Sequence, residues 1–395
     1  MQGNRVQIPV RSLVRGAWNY RPPVSAFQIG LGVQRANLVS ELDLDAASAL
    51  GFEVFRFTCA DLLTPDLERA DRLIEAMWAR GITPMAIIGS IQLGSLPRNN
   101  ATWKLLADRA GMLAERYADG PVIWEIWNEP NHDKFWNRPN PAHYAEAAVQ
   151  IARAIRDAAP AHQVIGPAIA TGRLSGARFL EDVLKSRPEL VDLLDAISIH
   201  GYQPTGREAP EQLVATYART RDILRPFRRD MPIVLSEMGW TTGGGAAISP
   251  QEQAMNAARM LLLHDVVGSS GSILYQMRDE VPSRVGDRYG LLSVDAQPRP
   301  AYATVGRMFQ ELEGYRFTGI SVQGSSYFIT VYQNEADGAW KAAAWRTDGR
   351  SRDLVLPMPG GQRIILPRVG PFPTYHSLPA GTMEPLSASL KRATL

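Results

Sequence analysis

The sequence predicts an α/β protein: a (β/α)8 barrel, the TIM-barrel architecture, followed by a small C-terminal antiparallel β-domain. Three observations lead there. From residue 26 to 313 a short apolar run, a polar turn and a helical segment recur eight times, and eight units in about 290 residues is near the usual size of this barrel. After Gly314 the helical period gives way to short apolar segments separated by Gly, Asp and Pro, the pattern of antiparallel strands. Two of the apolar runs end abruptly in a carboxylate, Glu129 and Glu237, and strand ends are where such barrels place their chemistry.

The elements follow in order. The first strand is Phe27 to Val33, and its helix, at about 41–50, is entered by Ser40 and closed by Gly51. Strand two, Glu53–Thr58, leads to a helix whose apolar positions Leu67, Leu73, Ile74, Met77 and Trp78 share one face and which Gly81 stops. Strand three is Thr83–Ile88, followed by a helix near 103–117. Strand four lies in Pro-Val-Ile-Trp-Glu-Ile-Trp-Asn-Glu-Pro-Asn, residues 121–131, where β-formers give way to a polar turn that a strand cannot continue through. The next helix has Asn140 as N-cap and Pro141 at its first position. Strand five is Gln163–Pro167, with a helix at about 177–185. Strand six is Ala196–His200, with a helix around 211–225. Strand seven is Pro232–Ser236, and Ser249 with Glu252 forms a capping box for its helix. Strand eight is Ser272–Gln276, and the last helix spans about 300–312.

A doubly wound open sheet is the competing fold. It would show a Gly-rich phosphate turn after its first strand, but Gly30-Leu31-Gly32 sits inside a strand-like run and lacks the third glycine. The expected division is an N-terminal segment 1–25, a barrel 26–313 and a β-sandwich-like accessory domain 314–395. The last contains strands near 327–332, 339–345, 352–356 and 363–366. Residues 5–10 read as an edge strand that completes its sheet, since chain ends often lie close together.

Composition narrows the function classes. Hydrophobic residues make up 45% and charged residues 21% of the 395, a globular balance with no disordered signature. Net charge is +2 with the signs interspersed, which points away from a nucleic-acid partner or a membrane surface. No apolar run reaches the length of a transmembrane segment. The single cysteine, Cys59, cannot form an internal disulfide, so the redox compartment stays open. The N-terminus lacks a signal-peptide apolar region; the expectation is a cytoplasmic protein, or a periplasmic or secreted one whose signal has been removed. The six histidines are scattered without ligand spacing, so no metal or other cofactor is expected.

The chemistry is carried by the two strand-end carboxylates. Glu129 follows strand four and Glu237, in Pro232-Ile-Val-Leu-Ser-Glu237-Met-Gly-Trp, follows strand seven. These strands lie roughly opposite each other in an eight-stranded barrel, so both carboxylates can face one cleft. A pair about 5–5.5 Å apart is the equipment of retaining glycosidases, one carboxyl donating a proton while the other attacks. Their surroundings must then push their pKa values apart. Arg56, between the apolar residues Phe55 and Phe57, needs an explanation too. Strict alternation along strand four puts Glu125, Trp127 and Glu129 on one face, so Arg56 is either an interior partner for Glu125 or a cation at Glu237.

Trp-Asn128-Glu129-Pro-Asn on strand four and Ser-Glu237-Met-Gly-Trp on strand seven resemble the glycoside hydrolases of clan A, which carry both catalytic glutamates on those strands. Ile199-His200-Gly201-Tyr202 and Gly290-Leu-Leu-Ser-Val-Asp295 through Pro300-Ala-Tyr302 are most similar to family 39, the branch of β-xylosidases, α-iduronidases and bacterial exopolysaccharide hydrolases. The resemblance covers about residues 26–312. It implies Glu129 as acid/base, Glu237 as nucleophile, Asn128 as donor to the sugar 2-hydroxyl, and His200 and Tyr202 lining the site, with Tyr202 bonded to the nucleophile. It also favours Arg56 as the cation holding Glu237 ionised. Many clan members end strand eight in a tryptophan platform, whereas this chain reads Leu274-Tyr275-Gln276; Gln276 is counted among the substrate-binding residues.

Loop aromatics can stack on sugar faces. Trp136, after Glu129, and Trp240, after Glu237, are the expected platforms; Phe135 and Tyr289 are further candidates and Trp103 reads as core. The expected activity is therefore retaining hydrolysis of an oligosaccharide or polysaccharide, bacterial exopolysaccharide included. Longer loops at about 131–140, 201–210 and 277–299 lean towards an open groove. The alternative is a non-catalytic glycan-binding or polysaccharide-assembly protein on the same barrel.

Overall fold

Eight parallel strands pair in chain order and the first pairs with the last, so the sheet closes into a barrel. The strands are β1 (Ile29–Val33), β2 (Val54–Asp61), β3 (Thr83–Gly89), β4 (Ile123–Ile126), β5 (Gln163–Ala170), β6 (Ala196–His200), β7 (Ile233–Met238) and β8 (Gly271–Tyr275). The computed structural model describes residues 29–33, 39–63, 66–89, 97–172, 174–202, 207, 209–279, 288–322, 326–357 and 363–379. The expected edge strand at 5–10, its pairing with the β-domain, and residues 27–28 of the first strand lie outside them.

The helices that cover the barrel are α1 (Glu41–Leu50), α2 (Leu67–Trp78), α3 (Asn100–Arg116), α4 (Pro141–Ala158), α5 (Leu174–Ser186), α6 (Leu190–Leu193), α7 (Leu213–Leu224), α8 (Pro250–Val267) and α9 (Pro300–Leu312). The expected caps of α1, α4 and α8 are in place, whereas α3 and α5 each begin about three residues earlier than expected. Ser40 accepts from the Asp43 amide at the start of α1 and Gly51 closes it at φ 90°. Asn140 caps α4 ahead of Pro141, and Ser249 and Glu252 form a reciprocal capping box on α8. Only the short α6 has no counterpart in the sequence reading.

Inside the barrel, Val54, Met85, Ile123, Ile165, Ala196, Val234 and Ile273 form one apolar cluster, a residue from each of β2 to β8. Two residues further along β2 and β4, on the same inward face, the polar pair Arg56 and Glu125 replaces it. The barrel interior thus changes from apolar to charged one layer below the strands' C-terminal ends.

After Gly314, β9 (Tyr315–Val322), β10 (Tyr327–Asn334), β11 (Trp340–Arg346) and β14 (Thr374–Leu378) form an antiparallel sheet in the order β14-β11-β10-β9. β12 (Arg352–Pro357) and β13 (Arg363–Val369) pair as a separate hairpin. One face of the sheet, with Phe328, Tyr332, Ala343 and Trp345, joins the main core. The other packs Ile329, Val331, Trp340, Ala342 and Ala344 against Leu354, Leu356, Leu366 and Val369 of the hairpin. Arg259 on α8 fastens the sheet by donating to the carbonyls of Pro371 and Arg346. β9 and β14 are additions to the sequence reading: Gly319 interrupts the first and the second is short and polar. Among the described residues, no helix is long and apolar enough to cross a membrane.

Candidate active site

The C-terminal end of β4 is shaped by backbone conformation rather than by continued alternation. The strand stops at Ile126, and Trp127 adopts φ 73°. Its ring turns into the outer core, against Trp136 at 4.8 Å, and its indole N–H donates to the Phe135 carbonyl at 3.0 Å. Glu129 follows at φ 44° and Ala168 on β5 sits at φ 53°, both left-handed conformations that a non-glycine residue adopts at a cost of about 1–3 kcal/mol. Hydrogen bonds hold them there. The Glu129 amide donates to the Ala168 carbonyl at 3.1 Å and the Ala168 amide to Ser198 Oγ at 2.9 Å. The Asn131 side chain both donates to and accepts from the Ala170 backbone at 3.0 Å. The expectation that Glu125, Trp127 and Glu129 share a face is therefore corrected: Glu125 points into the barrel, Trp127 away from it, and Glu129 into the cleft.

Glu237 is aimed by a bulge. Ile199 pairs with Leu235, but His200 pairs with Glu237, so Ser236 is the extra residue on β7. Simple alternation would leave Glu237 on the outward face with Ile233 and Leu235, which pack in the outer core. The bulge turns it inward, a common use of bulges beside functional sites.

Arg56 connects the two halves of the site. Its side chain is buried and its fork is fully distributed. Nε donates to Glu125 Oε2 at 2.7 Å, Nη1 to Glu237 Oε2 at 2.7 Å, and Nη2 to Asn128 Oδ1 at 2.8 Å. Nη2 also lies 3.2 Å from His200 Nε2. Both sequence explanations of Arg56, the interior partner and the cation at Glu237, describe contacts it makes at once. A guanidinium only donates, so His200 Nε2 is the acceptor and its Nδ1–H is directed to Glu129 Oε1 at 2.9 Å.

The two carboxylates consequently differ. Among the described residues Glu237 meets only donors, Arg56 on Oε2 and the Tyr202 hydroxyl on Oε1 at 3.1 Å. Glu129 is buried on one side, which pushes its carboxyl up. The hydrogen bond to His200, with His132 and Arg56 behind it, outweighs this and holds it below the usual carboxylate range. His200 Nδ1 is 2.9 Å from Glu129 Oε1 and 3.9 Å from Glu237 Oε2. The two oxygens are thus no more than about 7 Å apart, which admits the close spacing of a retaining pair.

The surface of the cleft is aromatic but holds no tryptophan among the described residues. Tyr289 packs edge-on to Tyr202 at 6.4 Å and to Tyr275 at 5.1 Å. Backbone bonds between Gln276 and residues 289 and 291 place it there. Gly239 allows this approach, since a Cβ on it would lie 1.9 Å from the Tyr275 carbonyl oxygen. Trp136 and Trp240 are corrections: with 1% and 2% exposure they are buried and offer no face to a sugar. Trp136 fills the space between Trp103, Trp127 and Tyr144, because the loop after Glu129 folds back over α3 and α4. Trp103 is core, as its helical position predicts. Gln276 is fully buried too, with neither amide atom hydrogen-bonded among the described residues, so it does not reach the cleft surface. Tyr275, the packing partner of Tyr289, was not singled out by the sequence; its inward parity with Ile273 was the available signal. Among the described residues no group of three or more His, Cys, Asp or Glu is arranged to hold a metal ion.

Comparison with known proteins shows the family and the fold. The profile described as Glycosyl hydrolases family 39 matches residues 95–349. A Beta-xylosidase of Geobacillus stearothermophilus is 25% identical over 300 residues, covering 67% of this chain and 56% of the relative. The chain thus spans a little over half the length of that protein. Among solved structures, a family 39 glycoside hydrolase from the gut symbiont Bacteroides cellulosilyticus WH2 superposes with a TM-score of 0.72 at 18% identity, covering 90% of this chain and 81% of its own. A monomeric beta-xylosidase from Caulobacter crescentus CB15 gives 0.58 at 18% identity, with 83% and 78% covered. At such identities these two structures show the shared fold.

Proposed function

The chain belongs to glycosyl hydrolase family 39, and from that premise we propose that it hydrolyses O-glycosidic bonds with retention, using Glu129 as acid/base and Glu237 as nucleophile. The observation that carries this reading is the unequal pair. Among the described residues Glu237 sees two donors and no acceptor, a setting complementary to a carboxylate, whereas Glu129 is largely covered, with one oxygen on His200. In the first step Glu129 gives its proton to the glycosidic oxygen as that C–O bond breaks, and a Glu237 oxygen bonds to the anomeric carbon. In the second, Glu129 takes a proton from water, the water oxygen attacks the anomeric carbon, and the ester bond to Glu237 breaks.

Asn128 Oδ1 is committed to Arg56, which leaves its amide N–H group to donate to the sugar 2-hydroxyl. Tyr202 and Tyr289 form the apolar wall beside the nucleophile. The substrate is an oligosaccharide or polysaccharide; β-xylosides come first because the Geobacillus relative is a β-xylosidase, and bacterial exopolysaccharide follows because of the long loops.

The test is covalent trapping. The protein is incubated with a panel of 2-deoxy-2-fluoro glycosides, β-xyloside first, and any adduct is mapped by mass spectrometry. An adduct on Glu237, absent in Glu237→Gln, is the expected result and names the glycone. Absence of an adduct with every sugar, together with retention on a glycan array, would favour a binding protein instead.

A further inference from the structure

We propose that Glu125 is a positioning residue that sets the reactivity of Glu237 by sharing the Arg56 guanidinium with it; the inference rests on the retaining mechanism above. Glu125 is fully buried inside the barrel and cannot touch a sugar. Its Oε2 accepts from Arg56 Nε at 2.7 Å, and among the described residues its Oε1 has no hydrogen-bond partner. An ion pair built only for stability would use the bidentate fork of arginine and satisfy both oxygens. Here the fork is spread over Glu125, Glu237, Asn128 and His200, and Glu125 receives a single bond. One cation therefore stands between two buried carboxylates.

The reaction changes that count. When a Glu237 oxygen bonds to the anomeric carbon, Glu237 becomes a neutral ester and the guanidinium loses one of its two counter-charges. Glu125, bonded to Arg56 Nε at 2.7 Å, remains as the other, so the glycosyl-enzyme holds a matched pair. Without Glu125 the free protein would hold the matched pair and the glycosyl-enzyme an uncompensated buried cation. Glu125 thus weakens the hold of Arg56 on Glu237 before attack and compensates Arg56 after it. The charged and titratable groups facing this cluster are Arg56 from β2, His200 from β6 at 3.9 Å from Glu237, Tyr202 on Glu237, Glu129 through His200, and Tyr144 of α4 near Glu125.

The experiment compares wild type with Glu125→Gln, which keeps shape and an acceptor for Arg56 Nε but removes the charge. The substrates are the 4-nitrophenyl and 2,4-dinitrophenyl glycosides of the sugar that labels the wild type. For the first, kcat/KM should fall about tenfold and its acidic limb move down by about one pH unit. For the second, where breakdown of the glycosyl-enzyme limits turnover, kcat should hold within about twofold while KM rises and the burst of dinitrophenolate shrinks. Loss of structure alone would lower kcat without moving the limb or the burst per active site. A folded variant with an unmoved acidic limb and an undiminished burst overturns the proposal. If Glu125→Gln does not fold, Glu125→Met replaces it, and failure of both to fold assigns Glu125 to stability and equally overturns it. A wild type that turns over neither glycoside overturns the hydrolase reading itself, a result separable from any behaviour of the variants.

Discussion

Replacing Arg56 with methionine removes the cation between two carboxylates while keeping much of the side chain's length. Arg56 is 1% exposed and bonds Glu125 and Glu237 at 2.7 Å each, so no solvent stands ready to take its place. A cation at this range moves a carboxyl group by about 1–3 pH units. The acidic limb of kcat/KM should therefore rise by that amount in Arg56→Met, opposite in direction to the shift expected for Glu125→Gln. Two buried charges also lose their partner, and breaking such a pair costs about 3–5 kcal/mol of folding stability.

The pH dependence of that deficit has a definite sign. In the variant the folded cluster binds a proton more tightly than the unfolded chain does, so its stability falls as pH rises and the deficit narrows on acidification. The assays are kcat/KM for an aryl glycoside across the acidic range and urea unfolding at two pH values. Arg56→Lys restores the charge without the planar fork; it should return the limb partway while leaving Asn128 and His200 less firmly held. An acidic limb that stays in place in folded Arg56→Met would refute the electrostatic reasoning and reduce Arg56 to an interior partner of Glu125.

Two further predictions concern packing. Trp136→Ala should destabilise the protein by about 3–5 kcal/mol, as for large core truncations, with KM unchanged; a raised KM at unchanged stability would restore Trp136 as a sugar platform. Asp265, buried on α8 beside Tyr332 of the β-sheet, is held well above the usual carboxylate range by burial, the Tyr332 hydroxyl only partly opposing it. An acid raised in the folded state destabilises it above the unfolded pKa, so Asp265→Asn should unfold at a higher temperature than wild type at pH 7, the gap closing towards about pH 4; equal midpoints at pH 7 would count against it.

Much of the barrel is legible because its signals are local. Ser40 and Gly51, Asn140 with Pro141, and Ser249 with Glu252 each mark a helix end through bonds made within a few residues. The eight apolar runs are legible because burial on both faces makes them nearly continuous. β9 and β14 are less so, since each is polar or broken in sequence and becomes a strand by pairing with β10 or β11. Trp136 departs from its expectation for a related reason. Its loop position suggests exposure, but loop 127–140 folds onto α3 and α4, and no short-range pattern encodes that.

The site itself shows where alternation stops being a guide. Along β4 the period of two holds from Ile123 to Glu125 and then fails, because Trp127 and Glu129 take left-handed conformations. Along β7 it holds from Ile233 to Leu235 and fails at Ser236, because an extra residue is accommodated against β6. Followed strictly, alternation would have left Glu237 in the outer core and Trp127 in the cleft. Both irregularities lie at strand ends, where a carboxylate must leave the sheet and face one opposite it. They persist because the Asn131–Ala170 clasp, the Ser198 hydroxyl and the His200–Glu129 bond hold the backbone in place. The identity of the two glutamates is written in the sequence; their facing each other depends on departures from regular strand geometry that only the assembled barrel stabilises.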